Sequence, residues 1–216
     1  MAKICTAQEA VKDISEGMSI MIGGFLGVGT PTKLVQALVE KGTKNLTIIS
    51  NDTAFPGVGV GKLQDHQQIT QLYTSYIGGH PQSGRCMEEG TLKVILTPQG
   101  TLAEQIRAGG SGLGGFLTPV GVGTVVEKGK QKIVITDKSY LLEEALKADV
   151  ALLKAYRADR SGNLVYRLSA RNFNPLMAMA AKRVIAEVED IVEDGEINPD
   201  HVITPGIFVD LLVEGR

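Results

Sequence analysis

Tryptophan is absent, cysteine and histidine are scarce at two and three residues, and aromatics make up 5% of the chain. Cys5 and Cys86 lie far apart with no Cys-x-x-Cys companion, which excludes a disulfide framework or a cysteine-based metal knuckle and fits a reducing cytoplasm. His66, His80 and His201 share no helical ligand spacing and have no cysteine or acidic residue at ligand intervals, so no metal is expected. An excess of one charge is missing too. Lys and Arg number 22 against 24 Asp and Glu, a net charge of −2, and without a basic stripe nucleic acid is not an expected partner. Long apolar runs are also lacking: none approaches the roughly 20 residues of a membrane span, and Met1 to Cys5 does not read as a signal peptide. These absences predict a cytoplasmic protein without membrane contact. At 216 residues with no shift of composition, one domain over 1–216 is expected.

What the sequence has in plenty is glycine: 26 of 216 residues, about 12% against a usual level near 7%. Most fall at Gly23 to Gly29, Gly57 to Gly61, Gly78 to Gly84 and Gly109 to Gly123, between apolar runs and with no repeat period. Ser19 to Ile22, Leu46 to Ser50, Ile69 to Ile77, Val94 to Leu96, Lys132 to Ile135, Val150 to Leu153 and Val184 to Val188 read as short strands. Most show little alternation, as strands buried on both faces do. Helices are predicted over 6–16, behind the Thr6 to Glu9 capping box, and from Pro31 to before Gly42. Two more are expected: one from the Thr101 to Glu104 capping box to Ala108, stopped by Gly109 and Gly110, and one over Leu176 to Ala181 behind Asn174 and Pro175. Alternating strands and helices predict an α/β fold: an open, mostly parallel sheet with helices on both faces.

Gly23-Gly24-Phe25-Leu26-Gly27-Val28-Gly29-Thr30-Pro31 sits at the carboxyl end of a strand, where open α/β sheets bind ligands and helix N-termini point free N–H groups. Glycines at 109–115 could likewise bring bare N–H groups onto an oxyanion, or form a surface loop. Gly110, Gly112 and Gly115 spell a dinucleotide pattern but follow a helix instead of a strand, and Gly57 to Lys62 has Leu63 where a phosphate loop needs Ser or Thr; nicotinamide, flavin and ATP chemistry are rejected. Ser111 lies in no nucleophile elbow. Asn51 and Gln99 follow strand ends and could donate amides to a carbonyl or carboxylate, or serve a turn and a cap. Arg171, Asn172 and Asn174 could grip a carboxylate or tie a loop to the sheet.

Gly23-Gly24-Phe25 with Gly29-Thr30-Pro31, Ser50-Asn51-Asp52, Leu96 to Leu102 with Glu104, Gly112 to Thr118, and Ser169 to Asn174, in this order, resemble the α subunit of the short-chain CoA-transferases. The type is that of acetate/butyrate–acetoacetate transfer, and the N-terminal half of succinyl-CoA:3-ketoacid CoA-transferase is similar. The resemblance runs nearly end to end and implies a fold shared with the ribose-phosphate isomerases. It implies a CoA thioester as substrate, no permanently bound cofactor, and a β-subunit partner. The Ser-Glu-Asn-Gly segment whose glutamate attacks the thioester in that family does not occur here, so the nucleophile is expected on the β subunit. By the same resemblance, Asn51 and Gln99 would position a carbonyl or carboxylate, while Gly23, Gly24 and Phe25 with Gly112, Gly114, Gly115 and Phe116 would line the acyl pocket. The alternative is a sugar-phosphate isomerase or sensor of similar fold, which would call for basic residues that the loops 23–31 and 109–119 lack.

Overall fold

The computed structural model describes residues 2–215. Its strands are β1 (Lys3–Cys5), β2 (Ser19–Ile22), β3 (Leu46–Ile49), β4 (Ile69–Thr74), β5 (Lys93–Leu96), β6 (Gly115–Thr118), β7 (Lys132–Ile135), β8 (Lys138–Glu144), β9 (Ala148–Asp159), β10 (Leu164–Val165), β11 (Ala181–Val192) and β12 (Leu211–Glu214). Its helices are α1 (Ala7–Val11), α2 (Thr32–Lys41), α3 (Val60–Asp65), α4 (Pro81–Glu88), α5 (Gln99–Gly110) and α6 (Asn174–Met179).

The main sheet runs β1-β12-β11-β9-β2-β3-β4-β5, every neighbouring pair parallel, with β10 antiparallel on the projecting end of β9. Residues on one strand alternate between two apolar cores. Ile20 and Ile22 of β2 pack with α1, α2 and α3, while Met21 packs with α5 and α6 on the opposite face. Helices on both faces explain why the strands read as unbroken apolar runs. The expected α/β sheet is present.

From β2 the chain builds outward through β3, β4 and β5, then crosses on α5 to β9 on the other side of β2 and builds outward again. Strand order therefore reverses between β2 and β9. The loops leaving their carboxyl ends diverge there, and a crevice opens.

Several sequence expectations change. The first strand is β1 rather than Ser19 to Ile22, and α1 ends at Val11, although its capping box forms as expected: Thr6 N donates to Glu9 Oε2 at 2.9 Å and Glu9 N to Thr6 Oγ1 at 3.2 Å. No capping box opens α5. The helix starts at Gln99 behind Pro98, Thr101 is already in its first turn, and Gly109 and Gly110 lie inside it. Asn174 is the first residue of α6, not its cap, and Ala181 already belongs to β11. Lys132 to Ile135 is a strand, but of a separate antiparallel sheet, β6-β8-β7, that the half-exposed segment 115–118 and the charged segment 138–144 conceal in sequence.

Candidate active site

The loop after β2 enters the crevice with its backbone largely satisfied. Gly23 N donates to Leu152 O of β9 at 3.1 Å, and Gly24 N to Asn172 Oδ1 at 3.1 Å. Phe25 and Val28 exchange backbone bonds of 3.0 and 2.9 Å around Leu26 (φ 47°) and Gly27 (φ 89°). Two successive left-handed residues make a tight reversal that glycine adopts freely and leucine does not. Leu26 is held there by Asp52, whose Oδ2 accepts its N–H at 2.9 Å. The expected convergence of loop N–H groups on an oxyanion does not follow, because the N–H groups of Gly23, Gly24, Phe25, Leu26 and Val28 have partners inside the protein.

Two asparagines hold the loop from the far side. Asn172 Nδ2 donates to Val28 O at 3.0 Å, and the fully buried Asn174 donates through Nδ2 to Gly29 O and Ala170 O, both at 3.0 Å, while its Oδ1 accepts from Lys154 N at 3.0 Å. A Cβ on Gly23 would fall on Asn174 Oδ1, and one on Gly29 would meet the Ala170 carbonyl. Of the two readings of Arg171 to Asn174, tying the loop to the sheet is the role the asparagines play; Arg171 stays exposed.

Asn51 and Gln99 come together at the ends of β3 and β5, where Gln99 Nε2 donates to Asn51 Oδ1 at 2.7 Å. Asn51 is buried and Gln99 exposed. The two amides are thus a chain, not parallel donors: Asn51 stands behind Gln99, which keeps Oε1 and a second N–H for the crevice.

The two helix N-termini at this edge differ. Lys33 N and Leu34 N of α2 both donate to Glu187 Oε2, at 2.7 and 3.2 Å, and the other oxygen of this fully buried carboxylate accepts from Lys154 Nζ at 3.0 Å. The start of α2 is closed to an anion. At α5, Pro98 provides no side-chain cap and nothing crowds Gly100, so the N–H groups of the exposed Gln99 and Gly100, which have no partner within the helix, are open to the crevice.

Gly23, Gly24, Phe25, Asn51 and Gln99 therefore share one edge. Gly112, Gly114, Gly115 and Phe116 do not join them. α5 runs from Gln99 to Gly110, about 18 Å at 1.5 Å per residue, and its end packs on Leu146, just before β9 begins, and on Met179, just before β11 begins. That is the amino edge of the sheet. Gly115 and Phe116 form β6, opposite Glu144 and Glu143 of β8. Asp149 secures this edge: Oδ1 accepts from Lys182 Nζ at 2.8 Å, and Oδ2 from Ser19 N at 3.0 Å and Ser19 Oγ at 2.8 Å. The lysine first, then the two serine donors, pull its carboxyl down to about 2.

Around the carboxyl edge stands a rim of exposed apolar side chains: Phe25, Val28, Phe55, Tyr76, Leu96 and Leu168, the last 88% exposed. A cleft of about 170 Å³ beside Val28 is walled by Tyr156, Tyr166 and Arg167. Burial pushes the Tyr166 phenol well up, and it pairs with Thr204 Oγ1 at 2.8 Å. Sequence reasoning missed Asp52 and Glu187 as organisers of the site. Asp52 could have been suspected from its place after a strand end; nothing local marks Glu187, whose partners on α2 lie more than 150 positions away and whose partner Lys154 lies on the neighbouring strand β9.

Residues 4–215 match the model of the coenzyme A transferase family. The chain is 53% identical to acetate CoA-transferase subunit alpha of Escherichia coli (strain K12), over 98% of this chain and 96% of that protein. It is 50% identical to the acetoacetyl-CoA:acetate/butyrate CoA transferase alpha subunit of Clostridium acetobutylicum, over 99% of this chain and 98% of that one. Among solved structures, an acyl-CoA transferase from E. coli O157:H7 superposes with a TM-score of 0.89 at 23% identity, covering 99% of this chain and 47% of that one. At that identity it speaks for the fold alone, and this chain spans about half its length. A variant of the decarboxylase AibA/AibB superposes with a TM-score of 0.83 at 29% identity, over 99% of this chain and 82% of that one. With a family model matched from residue 4 to residue 215 and relatives at half identity over nearly all of both chains, this chain belongs to the coenzyme A transferase family.

Proposed function

We propose that this chain is the α subunit of a short-chain CoA-transferase whose active site is completed by a β subunit seated on the carboxyl edge. One observation carries the reading. A polar patch of Gln99 and the open start of α5 lies inside an apolar rim, while the two carboxylates that touch the loop and α2, Asp52 and Glu187, are buried and already accept several donors each. A site so furnished can bind an acyl carbonyl, and the carboxylates near it are engaged: Glu189, which lines the cleft beside Val28, faces Arg167 Nη2 at 3.6 Å. The nucleophile comes from the partner, and the rim gives that partner a surface to cover.

In this scheme a glutamate carboxylate of the partner attacks the thioester carbonyl and expels CoA thiolate, giving an acyl-glutamyl anhydride. The thiolate then attacks the glutamyl carbonyl, releasing the acyl group as a carboxylate and leaving a glutamyl-CoA thioester, and the acceptor carboxylate reverses both steps. Gln99 and the first turn of α5 supply donors to the oxygen on which charge develops; one such donor is worth on the order of 3 kcal/mol. The loop at 23–29 forms a rigid wall that, with the partner in place, keeps water from the anhydride. Acetate, butyrate and acetoacetate are the proposed acids, after the names of two relatives that are 53% and 50% identical. A sugar-phosphate site fits less well, since Glu187 fills the start of α2 and the loops at 23–31 and 109–119 hold no Lys or Arg to neutralise a phosphate.

The test is CoA exchange between acetyl-CoA and acetoacetate or butyrate, measured for this chain alone and after mixing with the product of a neighbouring reading frame. Turnover is expected only from the mixture. Turnover by the isolated chain would refute the division of labour.

A further inference from the structure

We propose that Asp52 is a positioning residue that fixes the polarity of the amide chain ending at Gln99, and with it the shape of the loop at 23–29. The inference rests on the reading of this edge as an acyl-CoA site. Asp52 is buried and accepts from Asn51 Nδ2 at 2.6 Å and Leu26 N at 2.9 Å on Oδ2, and from Ala54 N at 2.7 Å on Oδ1.

An amide can turn either end toward a neighbour; a carboxylate can only accept. Beside Asp52, Asn51 must therefore point its NH₂ group inward, which leaves Oδ1 facing Ser75 Oγ at 3.1 Å and Gln99 Nε2 at 2.7 Å. Gln99 in turn must present its NH₂ group to Asn51. One buried charge thus dictates the orientation of two successive amides, and the exposed one reaches the crevice already aimed. The same Oδ2 restrains Leu26, whose φ of 47° is unfavourable for a branched side chain. Without Asp52, both amides can flip and Leu26 can relax, so the two walls of the site lose their common anchor.

The experiment uses the chain assembled with its partner. Asp52→Asn retains the shape but lets the chain run in either sense, so kcat should fall at least about tenfold with little change in KM for acyl-CoA. Gln99→Glu, which cannot donate to Asn51, should fall below Gln99→Ala. In the Gln99→Ala background, Asp52→Asn should cost no more than about threefold further, since both act through one amide. Hydrogen exchange of residues 23–29 should speed up in Asp52→Ala and stay unchanged at 109–115. Full kcat in Asp52→Asn, independent multiplication of the two effects, or unchanged exchange at 23–29 would each overturn the proposal. If the wild-type pair shows no CoA exchange at all, the acyl-CoA reading fails instead, and the hydrogen exchange still decides whether Asp52 anchors the loop.

Discussion

Two glycine-rich segments of similar composition have opposite fates in this molecule. The segment at 23–29 is fixed at the crevice by Asp52, Asn172 and Asn174, with left-handed or sterically crowded positions at Gly23, Gly24, Gly27 and Gly29. The segment at 109–116 closes a helix, turns at Gly112 (φ 73°) and starts a strand at the other end of α5. Glycine content does not distinguish them. What does is the neighbour each backbone meets: polar side chains from the loop after β3 and from the approach to α6 in the first case, a helix end and a strand pairing in the second. In the proposed reading, function follows the carboxyl edge, where strand order reverses, and the amino edge is left to hold the sheet together.

The contrast can be broken most severely at Gly23. Gly23→Ala drives a methyl group into Asn174 and should destabilise the protein by about 2–3 kcal/mol, while misplacing the loop enough to lower kcat/KM on the order of 10²-fold; thermal melts and exchange assays on the assembled enzyme check both. Gln99→Ala should cost on the order of 10²-fold in kcat and leave the melting temperature nearly unchanged, which separates chemistry from scaffold. Gly112→Ala, in open space but left-handed, should cost about 1 kcal/mol of stability with turnover intact. If it abolished turnover without unfolding the protein, the amino edge would have to be reassigned to the site.

Asp149 sharpens the comparison through pH. Its carboxyl is lowered to about 2 in the folded protein, chiefly by Lys182, against about 3.9 for an ordinary aspartate. A depressed folded value means that its contribution is complete above about pH 4 and is lost as pH falls toward 2. Asp149→Asn should therefore flatten that part of the acid denaturation curve and leave exchange activity at neutral pH unchanged. The smallest effect is expected at Gly114, where nothing lies within 4 Å of an added Cβ: Gly114→Ala should stay within about 0.5 kcal/mol of the parent.

The strands β2 to β5 and the loop after β2 were legible because their apolar runs and punctuation are local. β9 and β11 extend beyond their apolar centres, since their far ends carry cross-strand pairs such as Arg157 with Asp190, at 3.0 Å, in place of apolar side chains. The antiparallel sheet was unreadable for a related reason: in β8 the apolar Leu141 and Leu142 are flanked by Lys138, Glu143 and Glu144. At the site, Asn51 and Gln99 were correctly placed on one edge, but their order, one behind the other, depends on Asp52 and emerges only from packing. The segment at 112–116 was expected beside them because a resemblance carries residues, not distances.

Catalysis in this scheme requires an acyl group held by this chain and attacked from another. Borohydride added to the assembled enzyme during incubation with acyl-CoA, followed by peptide mass spectrometry, tests that directly. A single glutamate of the partner reduced to the alcohol, with this chain unmodified, is the predicted result. A reduced carboxyl group on this chain would contradict it.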